Sequence, residues 1–155
     1  MHQKEIKKSV NRIFTEYLTA HGYRKTPERF AILDRIYTCE THFDVELLYT
    51  RMKEKKYRVS KATLYNTLEL LLDCKLIVKH QFGQNTAQYE KSYKSKQHDH
   101  LICISCGSIT EFCDPRIQEI KDNIGDFNNF QITDHSLYLY GYCENCKKNE
   151  LKINN

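Results

Sequence analysis

The sequence predicts an α+β protein built as two modules: a basic helical front half closing in a β-hairpin, and a cysteine-rich α/β back half. Three observations lead there. Apolar side chains recur at helical spacing in four successive segments before a β-branched run begins at Leu76. Five of the seven cysteines fall after residue 100, four of them in two Cys-x2-Cys units. Charge divides in the same place, with residues 1–91 at +6 and residues 92–155 at −2. A chain of 155 residues that is 40% hydrophobic, with 7 Phe and 11 Tyr, can fill a core, so wholesale disorder is excluded. No apolar run approaches the ~20 residues of a membrane-spanning helix. Met1 to Val10 carries Lys4, Lys7 and Lys8 without an apolar stretch, so no secretory signal and a cytoplasmic location are expected. In that compartment cysteines serve as metal ligands or free thiols before disulfides.

In the front half, Ile6, Val10, Ile13, Phe14, Tyr17 and Leu18 predict an amphipathic helix over residues 3–21, ending near Gly22. Thr26-Pro27-Glu28-Arg29 is a helix start, with Thr26 as cap, Pro27 in the first turn and Glu28 at the positive dipole end. Phe30, Leu33, Ile36 and Tyr37 supply its buried stripe. Asp44 caps a third helix that turns Val45, Leu48 and Met52 inward. Ser60 caps a fourth, whose apolar face carries Ala62, Leu64, Leu68, Leu71 and Leu72. Leu76 to Phe82 then reads as a strand turning at Gly83, and Thr86 to Glu90 as its partner.

Helices followed by a two-stranded hairpin are the layout of a winged helix-turn-helix. The fourth helix would present Lys61, Thr63, Tyr65, Asn66 and Thr67 away from its leucines, its N-terminal end suited to the major groove. Arg24, Lys25 and Arg29 lie at the preceding turn, where they can neutralise phosphates or probe a narrow minor groove. A solvated basic bundle would show the same pattern, so the pattern alone leaves both readings open.

In the back half, Cys103-Ile104-Ser105-Cys106 and Cys143-Glu144-Asn145-Cys146 are separated by 36 residues. Two thiolates three positions apart on a tight turn grip one ion, and two such turns complete a tetrahedron. Gly107 fits the turn. The alternatives are two disulfides or four reduced thiols; structural Zn2+ is the expectation for a cytosolic chain. The long interval predicts an insertion with its own structure: a strand over residues 108–112, a helix over 116–124 and a strand over 130–142, where Leu137, Leu139 and Gly141 alternate with Tyr138, Tyr140 and Tyr142. His98 and His100, on one strand face just before the first knuckle, can chelate one further ion.

Taken together, these segments resemble the ferric uptake regulator family. The resemblance rests on His98-Asp99-His100-Leu101-Ile102-Cys103-Ile104-Ser105-Cys106-Gly107 with Glu111-Phe112, and on His135-Ser136-Leu137-Tyr138-Leu139-Tyr140-Gly141. In the front half it rests on Gly22 to Arg29, His42-Phe43 before Asp44, and Ala62-Thr63-Leu64-Tyr65-Asn66. It spans about residues 22–146. It implies a metal-dependent dimeric repressor with a winged-helix DNA-binding domain (1–91), a hinge (92–97) and an α/β dimerisation domain (98–150). Carried over position by position, the regulatory metal site would be His42, Glu90 from the hinge region, His98, His100 and Glu111. The structural zinc would lie on Cys103, Cys106, Cys143 and Cys146. DNA would be met by Tyr65 and, in the minor groove, by Arg24, within the wider set Arg24, Lys25, Arg29, Lys61, Thr63, Tyr65 and Asn66. The implied partners are a second copy of the chain and an AT-rich inverted repeat of double-stranded DNA, with no membrane.

Three imidazoles and two carboxylates suit Fe2+, Mn2+ or Zn2+ and suit thiophilic ions poorly. Because these donors come from both domains, occupancy would favour one arrangement of the two winged helices, the one matching major-groove turns ~34 Å apart. The chain departs from the family at a further site, where Gln97 and Gln118 stand beside Asp99 and His135; amides coordinate weakly, so Asp99 and His135 would make a weak extra site. Asn66, in place of an arginine of many iron sensors, resembles the peroxide-sensing branch. Glu90 and Glu111, in place of that branch's aspartates, resemble the iron sensors, and the residues that touch metal decide for iron. A peroxide or zinc sensor is the alternative within the family. Outside it stands a zinc hydrolase using His98, His100 and His135 with Asp99 as base. Cys39, Cys74 and Cys113 have no partner spacing; Cys74, ending an apolar helix, is expected as packing.

Overall fold

The computed structural model describes residues 2–39, 42–83 and 86–153, and divides into two compact units, Met1–Ser95 and Lys96–Asn155. In the first unit α1 (His2–Ala20) buries Val10, Phe14 and Leu18, a stripe with a spacing of four. It stops at Gly22, whose φ of +69° is open to glycine at little cost, while the Tyr23 amide reaches back to the Leu18 carbonyl at 2.9 Å. The next three helices start where their caps predict. Thr26 accepts from the Arg29 amide ahead of α2 (Pro27–Thr38), Asp44 from Leu47 ahead of α3 (Val45–Glu54), and Ser60 from Thr63 ahead of α4 (Lys61–Asp73).

Leu33, Ile36, Leu48, Met52, Leu64, Leu68 and Leu71 meet in one core, each worth about 1.5–3 kcal/mol of transfer free energy. Two positions on α4 depart from the expected pattern. Ala62 is exposed, and Thr67 is fully buried, its hydroxyl satisfied by the Thr63 carbonyl at 2.8 Å. A threonine can turn inward on a helix because its own backbone offers an acceptor one turn back. The helices are closed by an antiparallel hairpin, β1 (Ile77–His80) and β2 (Gln88–Lys91), in the register Val78 opposite Glu90 and His80 opposite Gln88. Phe43 adds a single bridge to Tyr89 on the other edge.

The second unit is a three-stranded sheet in the order β4 (Ile109–Phe112), β3 (Asp99–Cys103), β5 (Tyr138–Gly141). β3 is antiparallel to β4 and parallel to β5. The parallel pair requires a crossover, and α5 (Pro115–Asn128), capped by Asp114, provides it. It runs four residues beyond its expected end, to Asn128, and the left-handed cap residue Asn129 lets the Phe130 amide bond the Gly125 carbonyl at 2.9 Å. The strand expected over 130–142 is shorter for the same reason. Residues 130–137 return alongside α5, Ile132 packing on Gly125, and sheet bonding begins only where His100 N donates to Leu137 O. α6 (Glu144–Ile153), which no sequence signal announced, starts inside the second Cys-x2-Cys unit. Among the described residues no helix is long and apolar enough to cross a membrane.

Candidate metal centres and nucleic-acid interface

Cys103 ends β3, and the chain doubles back at once: Gly107, at φ +73°, donates its amide to the Cys103 carbonyl. Cys143 follows β5 and Cys146 lies on the first turn of α6. The parallel register, which sets Cys103 opposite Gly141, thus delivers both knuckles to one end of the sheet. The four sulfurs lie within 4.8 Å of one another, and Cys106 Sγ is 3.8 Å from Cys143 Sγ. Ligands at the usual zinc–sulfur distance of ~2.3 Å stand about 3.8 Å apart along a tetrahedral edge, so the spacing fits zinc. All seven cysteines are thiols rather than disulfides.

The backbone prepares part of the charge. Amides of Cys106 and Cys143 point at Cys103 and bring its thiol down to about 6, and the Ser108 hydroxyl lowers Cys106. Cys146 moves the other way. Ser105 favours its thiolate, but the Cys143 thiol and burial prevail and push it up to about 12. Neighbouring thiolates cannot all ionise unaided; a dication is the group that lets them.

On β3, side-chain parity sorts the remaining donors. His100 is buried opposite Glu111 on β4 and Tyr138 on β5. His98 stands just before the strand, its ring 4.9 Å from that of His100 and its Nε2 3.8 Å from Glu111 Oε1. Its Nδ1 lies 2.8 Å from the Lys96 carbonyl, which as acceptor favours the tautomer in which Nε2 is the atom that could hold an ion. Asp99 points to the opposite face and meets His135, Nε2 to Oδ1, at 2.9 Å. That contact is off the line of a hydrogen bond, so Asp99 Oδ1 and both His135 ring nitrogens are buried without a hydrogen-bond partner. Of the two amides expected there, Gln97 donates to the His135 carbonyl and Gln118 to Asp122. The same parity breaks up the hydrolase set, since His135 belongs to Asp99's face and cannot join His98 and His100 on one ion.

In the first unit, Glu90 on β2 sits between two histidines. His42 Nε2 is 2.8 Å from its Oε2 and His80 Nε2 is 2.7 Å from its Oε1. Burial alone would raise the Glu90 carboxyl, but the His42 and His80 hydrogen bonds outweigh it and hold the group well below the usual carboxylate range. His80 was absent from the sequence-derived set. The observed register places His80 and Glu90 as diagonal neighbours on one face of the hairpin, a relation that strand positions alone do not fix.

The basic face is uneven. Arg24 and Lys25 are exposed on the loop before α2, and Tyr65 and Asn66 are exposed on α4. Arg29 is turned toward its own chain: it donates to the Arg24 carbonyl and lies 5.9 Å over the Tyr23 ring. Lys61, at the start of α4, pairs with Glu46 at 2.6 Å and lies over Tyr49; Thr63 shares a hydrogen bond with the cap Ser60.

A family model described as the ferric uptake regulator family matches residues 20–140. The chain belongs to that family. The ferric uptake regulation protein of Neisseria meningitidis serogroup A is 35% identical over 127 residues, 81% of this chain and 88% of the relative. The crystal structure of the Vibrio cholerae ferric uptake regulator has a TM-score of 0.71 at 33% identity, covering 83% of this chain and 98% of that one. The ferric uptake regulator of Pseudomonas aeruginosa with manganese gives 0.73 at 29% identity, covering 84% and 97%. Membership makes the chain a metal-responsive transcription regulator of a DNA-binding family, not one of an enzyme family. Its four-cysteine cluster and its His/Glu donors are groups that could hold such metal ions.

Proposed function

We propose that this protein is a homodimeric, cytoplasmic repressor that binds an AT-rich inverted repeat and senses ferrous iron. One observation carries the reading: oxygen and nitrogen donors without sulfur gather in each unit, His42 against Glu90 in the first and His98 beside His100 and Glu111 in the second. Such a donor set suits Fe2+, with Mn2+ and Zn2+ as competitors. A bound divalent cation would supply the Lewis acid that holds these donors together. The residues themselves do the coupling: donors on both sides of the hinge favour the arrangement competent for DNA by as much as they bind the ion better there. The iron assignment is supported by the relatives' names, one of which is found with manganese.

Homodimerisation is supported by α5. Ile120, Ile124 and Phe127 form a stripe at helical spacing, and all three are exposed, Phe127 at 87%. On the DNA side, the exposed Tyr65 and Asn66 of α4 would face the major groove, with Arg24 in the adjacent minor groove and Lys25 on the backbone. Asp99 Oδ1 and the His135 ring nitrogens, buried without a hydrogen-bond partner, would take a further ion weakly.

The test is an anaerobic titration of Fe2+, Mn2+ and Zn2+ into the zinc-loaded chain with an AT-rich inverted-repeat duplex, read by fluorescence anisotropy. Iron is expected to raise affinity at the lowest free concentration, and His98→Ala to abolish the stimulation while leaving the dimer mass intact. Equal affinity with and without added metal would refute the sensor. Stimulation by Zn2+ alone would replace iron by zinc.

A further inference from the structure

His42, His80 and Glu90 together hold more metal-binding capacity than the expected regulatory set assigns to the first unit. The two imidazole Nε2 atoms converge on a single carboxylate, His80 on Oε1 at 2.7 Å and His42 on Oε2 at 2.8 Å, with the rings 6.0 Å apart. All three side chains are 10–13% exposed. Nitrogen and oxygen donors at ~2.1 Å from a divalent cation stand about 3 Å apart when they subtend a right angle. The observed separations are therefore close to one edge of a coordination polyhedron on each side of the carboxylate. Phe82 stacks on the His80 ring at 5.3 Å and meets His42 edge-on at 6.2 Å, closing the group with an apolar wall of the kind that excludes water from metal sites. One histidine is enough to partner a buried carboxylate; the second supplies a third ligand.

We propose that His80 is a metal ligand, and that His42, His80 and Glu90 form a three-donor capture site on which the DNA-binding unit takes up a divalent cation without the donors of the second unit. The inference rests on the metal-sensing reading above and deepens it. The winged-helix unit loads first and weakly, and the second unit's histidines and Glu111 then add affinity. The regulator's threshold is accordingly set in part by the wing, at His80, the last residue of β1.

The full-length chain carrying His98→Ala, His100→Ala and Glu111→Ala together tests this, with Co2+ as probe. Cobalt per chain is read by mass spectrometry after gel filtration, and the site's ligand field by visible absorption, while the zinc content reports the cysteine site. The triple variant is expected to retain one cobalt, bound at least ~10-fold more weakly than in the unsubstituted chain, with an N/O spectrum. Adding His80→Ala should abolish it. Adding His80→Gln should abolish it too, although glutamine still donates a hydrogen bond to Glu90 and preserves the melting temperature. Restoration of cobalt binding by His80→Gln would make His80 a hydrogen-bonding support and overturn the proposal. So would a triple variant that holds zinc only while the unsubstituted chain binds cobalt; the sensing reading would stand in that case. An unsubstituted chain that binds zinc only would overturn both.

Discussion

Tyr37 shows how a single side chain organises the first unit. Its hydroxyl donates to the Leu76 carbonyl at 2.6 Å and accepts the Tyr93 amide at 3.3 Å, and the ring is 3% exposed. Burial raises its phenol above the ordinary 10, so it stays a donor at any working pH. Tyr37→Phe takes its acceptor from the Tyr93 amide and one of two donors from the Leu76 carbonyl, which keeps the Ser92 amide at 3.1 Å; the cost should be about 1–3 kcal/mol, read as a lowered urea midpoint with unchanged slope. Arg29 makes a sharper case, because sequence reasoning grouped it with the phosphate-facing cations. Its guanidinium instead holds the Arg24 carbonyl and lies on Tyr23. It should therefore shape the loop that presents Arg24 and Lys25 rather than neutralise a phosphate. Lys25→Ala is expected to reduce the slope of log affinity against log salt by about 0.9. Arg29→Ala should weaken binding with that slope unchanged, and a fall in slope would return Arg29 to the phosphate contacts.

At the scale of elements, the ends of α5 decide the second unit. Gly125 is buried, and a Cβ there would stand 2.8 Å from the Phe130 carbonyl oxygen, a backbone atom fixed by the turn at Asn129. Gly→Ala inside a helix ordinarily stabilises by up to about 1 kcal/mol. Here the sign should reverse, with Gly125→Ala lowering the melting temperature of the second unit through a loss of about 1–3 kcal/mol. A rise in melting temperature would show that the return segment yields. Such a close approach is invisible in a single sequence, and the strand expected over residues 130–142 is too long for that reason: the alternation covers residues 137–142, and only Tyr138–Gly141 pairs. Helix starts were legible because Thr26, Asp44 and Ser60 carry their own mechanism. The cysteine pairs were legible because ligand spacing is local. His80 was not, because its role depends on a hairpin register that brings it diagonal to Glu90, and register is a tertiary fact.

Across the whole molecule the two units rest on different forces. The first packs Phe14, Leu18, Ile32, Leu33, Ile36, Leu48, Leu64, Leu68 and Leu71 at 0–1% exposure, a core that needs no ion. Among the described residues of the second, the buried hydrophobic positions are Ile102 and Cys103, the latter itself a candidate ligand, while Ile104, Ile120, Ile124, Phe127 and Phe130 are all more than half exposed. Burial that small cannot offset the ordering of a three-stranded sheet and two helices. A four-thiolate zinc, worth about 10–16 kcal/mol of apparent folding free energy at neutral pH, can supply what is missing. Stripping zinc with a strong chelator at pH 7, or replacing Cys103 by serine, should therefore unfold the second unit and abolish dimer mass while the first keeps its own thermal transition. Amide protection in the two units, followed by hydrogen exchange, separates them: loss over residues 99–146 with protection retained in α2 and α4 is the expected result. Retained protection in β3 and β5 of the metal-free chain would mean that the exposed apolar face, covered by a second copy, holds the unit together without its zinc.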